Sequence, residues 1–409
     1  MKTIDTVVIG AGHAGLAVSR LLTAAGRDHV VLDRGRVAER WRTERWDSLH
    51  LLTPNWMARL PGWYHGGSDP DGFMSAGRFI EYLKRYAESF EAPVVGDTTV
   101  HEVCAATSGG YLVVTSAGTW RTRNLVIPAG TEVVTSNRYR SPAQLTGGGV
   151  LVVGASASGV QIADELNRAG REVFLAVGRH TRVPRQYRGM DIFWWLESTG
   201  RLARTIHEFS DPAAARREPS MQLVGGPTED GHPRDLDLVD LQARGVRLLG
   251  HFDRMEGVRA YFRPDLADSV ATADKRLHRL LDAVDDYVAS TGLSAEVWPA
   301  ARPRPLDVPP ATTFLDLPRE RIGAVLVATG YRPDYPWLRL PIIGPDGNVR
   351  HEQGVTAAPG VYVVGQRFQH RRDSGFIDGA RHDAHAIVSH LLTGSRSPER
   401  SAASGEPMS

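Results

Sequence analysis

The sequence predicts an α/β chain built from two Rossmann-type dinucleotide-binding domains, and three observations predict it. A continuous apolar run, TVVIG, leads into the turn Gly10-Ala11-Gly12-His13-Ala14-Gly15 and then into the helical spacing of LAVSRLLTAAG. A second run, VLVVG, opens Gly154-Ala155-Ser156-Ala157-Ser158-Gly159 and a second helical pattern. Two more buried-strand runs, AVLVATG and GVYVVG, follow late in the chain, so the first domain is expected to be split, with the second inserted into it.

The elements are justified in order. HVVLD closes the first strand–helix–strand unit. Residues 75–90 predict an amphipathic helix, with Phe79, Tyr82, Leu83, Tyr86 and Phe90 on one stripe and Ser75 as N-cap. Residues 98–127 alternate in short strands broken by Gly109-Gly110 and Gly118, which predicts an antiparallel meander. The stretch 180–320 is rich in Arg and Pro and shows one clear helix, TADKRLHRLLDAVDDYVAST, with Leu277, Leu280, Leu281, Val284 and Val288 on a face. Residues 376–393 predict a closing helix, and the small, polar end from 394 a disordered tail. The expected divisions are 1–130 and 323–393 for the first domain and 131–322 for the second.

Composition narrows the function. With 409 residues, 42% apolar and 23% charged, the chain is an ordinary globular one, and two domains fit its length. A net charge of +1 offers no case for nucleic acid. No secretory leader and no membrane span are visible, which makes a cytoplasmic protein the expectation. Cys104 is the only cysteine, so dithiol chemistry and thiolate metal cages are set aside. His382 and His385 lie one helical turn apart but lack further ligands, and no metal is expected. Ser156 and Ser158 stand outside any GxSxG context, which argues against a hydrolase.

The two turns carry the chemistry. Gly10 allows the tight turn, Gly12 lets the backbone approach a pyrophosphate, and Gly15 lets helix and strand pack closely. Asp33 ends the next strand, where an acid takes ribose hydroxyls. The second turn has Ser156 in the middle glycine position, so its site is looser. Its next strand ends in Gly178-Arg179-His180-Thr181-Arg182 with no acid, and arginines there suit a 2′-phosphate and favour NADPH over NADH. Arg185 and Arg188 read equally as surface charge or phosphate ligands, and Phe193, Trp194 and Trp195 as core or as the lining of an apolar pocket. Two dinucleotide sites imply a relay in which one cofactor delivers hydride and the other, ordinarily a flavin, stores it.

VVIGAGHAGLAVSRLL, VVLDRGRVAERWRTERWDSLHLLTP, VLVVGASASGVQIADEL and VLVATGYRPDYPWL together resemble the class B flavin-dependent monooxygenases, in particular bacterial flavin-containing monooxygenase-like and YUCCA-like proteins. The resemblance covers most of the chain and thins between 190 and 320. It implies a glutathione-reductase-like FAD domain with an inserted NADPH domain. FAD would lie on Gly10, Gly12, His13, Ala14, Gly15, Asp33 and Arg34, beneath a turn bearing Trp41, Arg42 and Trp46. A backbone group of Val103 would meet the adenine, and Gly365 would also line the site. NADPH would lie on Gly154, Ser156, Ala157, Ser158, Gly159, Arg179, His180 and Arg182. Gly130, Thr329 and Gly330 would form the crossovers between domains. Thr53 and Asn55 are the catalytic candidates.

Three departures from the family pattern stand out. TSNRYRSP matches half of the family signature before the second turn, with Thr135 where histidine is usual, and the 130–150 linker is short. The flavin-side asparagine of the family would fall at Pro54, one place before Asn55. Gln366 stands where related flavoproteins carry an acid for the ribityl chain. The resemblance implies hydroxylation of a small organic substrate, or insertion beside a ketone, by O2 through a C4a-(hydro)peroxyflavin. An FAD oxidoreductase without oxygen insertion and a low-turnover flavin-binding sensor remain open beside it. A homodimer is compatible with this reading.

Overall fold

The computed structural model of the chain describes residues 1–128, 132–133, 138–226, 234–332 and 334–394. The first domain begins with β1 (Lys2–Ile9), α1 (His13–Ala24), β2 (His29–Leu32), α2 (Glu39–Thr43) and α3 (Ala76–Glu88). It continues with β3 (Val94–Val95), β4 (Val100–Ala105), β5 (Tyr111–Thr115) and β6 (Gly118–Pro128). The second contains β7 (Glu132–Val133), β8 (Gly149–Val153), α4 (Ala157–Arg168), β9 (Val173–Ala176), α5 (Ile192–Ser198) and α6 (Pro212–Arg216). It goes on through β10 (Arg247–Leu249), β11 (Phe252–Glu256), β12 (Arg259–Phe262), α7 (Leu266–Thr291), β13 (Phe314–Asp316) and β14 (Ile322–Val327). The chain returns through β15 (Tyr331–Arg332), β16 (Val361–Val364) and α8 (Ile377–Gly394).

The first sheet has seven strands in the order β3-β2-β1-β6-β5-β4, with β16 also paired to β6. β6 is long because it serves twice. Gly118–Thr122 close the antiparallel meander with β5, and Leu125–Pro128 run parallel to β16. The predicted meander is thus present and fused to a parallel core. The α3 stripe is buried as expected, and Ser75 Oγ caps the helix by accepting from Arg78 N at 3.3 Å. α1 and α8 cover one face of this sheet in a common core with Leu16, Leu22, Ala380, Ala384 and Ile387.

The second sheet is wholly parallel, β10-β9-β8-β14. This corrects the division at 323. The run AVLVATG is a buried parallel strand, but it pairs with β8, Val152 opposite Leu326, so the chain leaves the second domain only after Val327. The two crossovers then lie side by side, β15 antiparallel to β7. The helix in the insertion starts earlier than the sequence indicated and ends at Gly292, whose φ of 74° is left-handed. Leu277, Leu281, Val284 and Val288 are buried, and Leu280 packs on the neighbouring cluster around Phe193. A three-stranded antiparallel sheet, β11-β12-β13, occupies part of the stretch that read as irregular. Among the described residues no helix is long and apolar enough to cross a membrane, and no cluster of His, Cys, Asp and Glu could hold a metal. The expected tail lies, apart from Gly394, outside the described residues.

Candidate cofactor-binding and active site

The first turn is shaped as its glycines require. Gly10 has φ 99°, and a methyl on Gly15 would sit 2.1 Å from the Gly10 carbonyl oxygen. A methyl on Gly12 would meet no atom within 4 Å. The space above Gly12 is therefore not needed by the fold, and it is where a pyrophosphate would approach the N–H groups that open α1. No side chain caps this helix, so none competes for those donors. Asp33 accepts from Ala11 N at 2.7 Å and Gly35 N at 3.0 Å, and burial pushes its carboxyl pKa up. The acid thus fixes the turn while keeping lone pairs for ribose hydroxyls. α2 docks on the same turn through Ala38 N to Ala11 O at 3.0 Å. Trp41 stands edge-on to Phe79 with centroids 4.7 Å apart, and Arg45 lies over Trp41. Arg42 Nε donates to Val37 O at 3.4 Å.

Two residues beside this turn carry buried polar atoms without partners. His13 Nε2 is enclosed and unpartnered, and burial lowers its pKa to about 4, so the ring is neutral at physiological pH. On the opposite wall, Gly365 has φ 78°, and a methyl there would be 3.2 Å from Ala14 Cβ. The next residue, Gln366, presents a buried Nε2 that also lacks a partner. A nucleotide rich in phosphate and hydroxyl groups supplies the hydrogen-bond partners that these nitrogens lack, so the residues present fit a flavin dinucleotide.

The second turn repeats the geometry. Gly154 has φ 107°, and a methyl on Gly159 would lie 1.8 Å from the Gly154 carbonyl oxygen. Gly154, Ser156 and Ser158 are half-buried, while Ala157 and Gly159 are shut in. A methyl on Gly154 would also lie 2.6 Å from Ala328 O, which locks the turn to the crossover holding Thr329 and Gly330. Gln222, fully buried, braces this turn through Nε2 to Ala155 O at 2.7 Å, and its Oε1 is unpartnered.

The basic run behind the second turn needs correction. Arg182 is buried and pinned by Asp237 at 2.7 Å, Asp274 at 2.9 Å and the Arg304 carbonyl at 2.6 Å, so its charge is already matched. His180 is buried and donates Nδ1–H to Gly178 O at 3.0 Å. Burial lowers its pKa, which leaves no cation there for a phosphate. Arg179 alone of the three is exposed. Arg185 is neither surface charge nor phosphate ligand. It is sandwiched between Phe73 and Phe193, paired with Asp191 at 2.6 Å, and holds the Leu52 carbonyl at 2.8 Å. Arg188 pairs with Asp285.

Other expected residues fare differently. Val103 turns both backbone groups to the 337–339 segment, accepting from Arg339 N at 2.9 Å and donating to Trp337 O at 2.8 Å, so its single N–H is not free for an adenine. Trp46 is buried in an apolar cluster with Ala155, Tyr139 and Val160, where it plugs one domain against the other rather than facing a cofactor. Arg34 is exposed and ion-paired with Glu44. Asn55 is buried with Nδ2 donating to Asp69 O at 2.8 Å, so one of its two N–H donors holds a loop, while Thr53 is half-buried. Phe193 and Trp195 are core. Trp194 lines an open cavity of about 490 Å³ with Trp56, Arg59, Met190 and Glu197. Gly130 and Thr135 lie outside the described residues, but Tyr139 of the same signature is described and donates to Glu165 on α4 at 2.6 Å. No sequence motif pointed to Gln222 or to His351, which bonds Gln366.

Comparison with known proteins agrees with this geometry. The pyridine nucleotide-disulphide oxidoreductase family profile matches residues 7–192. An uncharacterised oxidoreductase of the CzcO-like type from Geobacillus kaustophilus is 28% identical over 410 residues, covering 95% of this chain and 98% of the relative. Indole-3-pyruvate monooxygenase YUCCA4 of Oryza sativa subsp. japonica is 29% identical over 236 residues, 48% of this chain and 54% of that protein. Among solved structures, the flavin-containing monooxygenase from Stenotrophomonas maltophilia shares the fold with a TM-score of 0.61 at 19% identity, covering 96% of this chain and 100% of that one. The fold, the two nucleotide turns and these relatives together make the chain a flavin-dependent oxidoreductase that is similar to the flavin monooxygenases.

Proposed function

We propose that this chain is an FAD-dependent, NADPH-consuming monooxygenase acting on a small organic substrate. The observation that carries the reading is the pairing of two nucleotide turns of one shape with different surroundings. The first is flanked by an acid and by unpartnered buried nitrogens, the second by the exposed Arg179 and no acid. When bound, the flavin accepts hydride and activates oxygen. This chain's residues do the rest. Asp33 holds the first turn and the adenosine ribose. His13 and Gln366 donate to the flavin nucleotide, and Trp41 shields its pyrophosphate arm. Arg179 selects the 2′-phosphate, and the apolar plug around Trp46 keeps water from the seam between domains.

A second reading, an oxidase or reductase without oxygen insertion, has one observation in its favour. One of the two Asn55 amide N–H donors is spent on Asp69 O, which restrains the side chain in a loop contact and leaves the 53–55 loop fewer donors for an activated oxygen. The deciding experiment reduces the holoenzyme anaerobically with NADPH and then adds an oxygen pulse with candidate ketones, amines and thioethers. Oxygenated product supports the monooxygenase, and hydrogen peroxide as sole product supports the second reading. Failure of NADPH to bleach the flavin leaves a flavin-binding sensor.

A further inference from the structure

We propose that His351 is a positioning residue for the flavin, holding the Gln366 amide in the one orientation that leaves its N–H groups facing the cofactor groove. The proposal rests on the FAD reading above and deepens it. The direction of each hydrogen bond follows from chemistry. Gly354 donates its backbone N–H to His351 Nδ1 at 3.2 Å. A ring nitrogen that accepts carries no proton, so the single proton of a neutral imidazole sits on Nε2. Nε2 then donates to Gln366 Oε1 at 3.1 Å. With its oxygen claimed, Gln366 turns Nε2 away from the histidine, where it is buried and without a partner. The backbone of Gln366 is held as well, its N–H donating to Gln369 Oε1 at 3.3 Å.

The neutral ring is the one this pocket favours. Burial lowers the His351 pKa, the nearby Arg216 cation lowers it further, and the bond to Gln366 acts against them. A doubly protonated ring would set a second N–H against that of Gly354. The freed amide lies one residue past Gly365, which packs on Ala14 at the start of α1. A buried donor at that place requires an acceptor, and ribityl hydroxyls or pyrophosphate oxygens are what FAD offers. An acid at position 366 would accept from the flavin. Here the polarity is reversed, and an amide needs a neighbour to tell its two ends apart. His351 is that neighbour.

The test removes FAD from the full-length chain and rebinds it, reading Kd from quenching of flavin fluorescence. H351A and Q366A should each weaken FAD about tenfold, and the double variant should be no weaker than the poorer single, because both remove the same oriented bond. H351Q keeps a donor of similar reach and should restore affinity. The melting temperatures of the flavin-free variants should fall only modestly, through the lost bonds among Gly354, His351 and Gln366, since the bond that matters is made to the cofactor. Additive losses, an H351A variant with unchanged FAD affinity, or a fall in flavin-free melting temperature that accounts for the loss would overturn the proposal. A wild-type chain that binds no FAD overturns the cofactor reading instead, a result distinguishable from all of these.

Discussion

Gly12 and Ser156 hold the same place in two turns of one shape, with φ/ψ of −85°/−180° and −82°/−174°. Around them the outer glycines are equally constrained, since a methyl on Gly15 or on Gly159 would be driven into the carbonyl oxygen of Gly10 or Gly154. The fold therefore demands the first and third glycines of each turn, while the middle residue is left to the ligand. The largest expected effects follow from that division. Gly15→Ala and Gly159→Ala should each destabilise the chain by about 3 kcal/mol or more, read as a fall in melting temperature with or without cofactor. A stable G15A chain would break the comparison at its base.

The surroundings of the two turns differ more than the turns do, and the basic run after β9 shows how. Arg182→Ala strips the partner from Asp237 and Asp274 inside the protein and should cost about 3–5 kcal/mol of stability, with little change in the preference between NADPH and NADH. Arg179→Ala should do the reverse. Its melting temperature should hold, while KM for NADPH rises roughly tenfold and KM for NADH stays put, as expected for a lost exposed contact to a 2′-phosphate. Equal effects of R179A on both nucleotides would remove the 2′-phosphate from the reading.

This contrast also shows where the sequence was legible. GAGHAG, Asp33, the α3 stripe and the meander were readable because each is local. Glycines, a cap or an alternation over a few residues dictate a turn, a helix or a hairpin. Arg182 was misread because its partners lie 55 and 92 residues away, and no short pattern reports them. The boundary at 323 failed for a related reason. A buried parallel strand is apolar whichever sheet it joins, and only the pairing of β14 with β8 decides the question. Val103 was expected to offer a backbone group to adenine, and the return of residues 337–339 to its backbone could not be read ahead of the fold. Gln366 was visible as a departure, whereas the histidine that orients it needed three dimensions.

The middle residue supplies the finest discrimination. Gly12→Ala puts a methyl into open space, so the flavin-free chain should melt as the wild type does. FAD binding should nonetheless weaken by about a hundredfold, because the methyl takes the ground the pyrophosphate needs.

Ser156→Gly is the mirror experiment and the smallest effect. The serine makes no cap bond to α4, so its removal costs no hydrogen bond to the helix. Glycine at a helix N-cap differs from serine by only a few tenths of a kcal/mol, so the melting temperature should barely move. What changes is the distance at which a pyrophosphate can sit from the backbone N–H groups. A severalfold fall in KM for NADPH, with the rate of flavin reduction at saturation unchanged, would show that the second turn is loosened by one side chain alone. If KM does not fall, the looseness belongs to the surroundings, to Gln222 beneath the turn and to the crossover locked against Gly154, and the two turns differ by more than their middle residue.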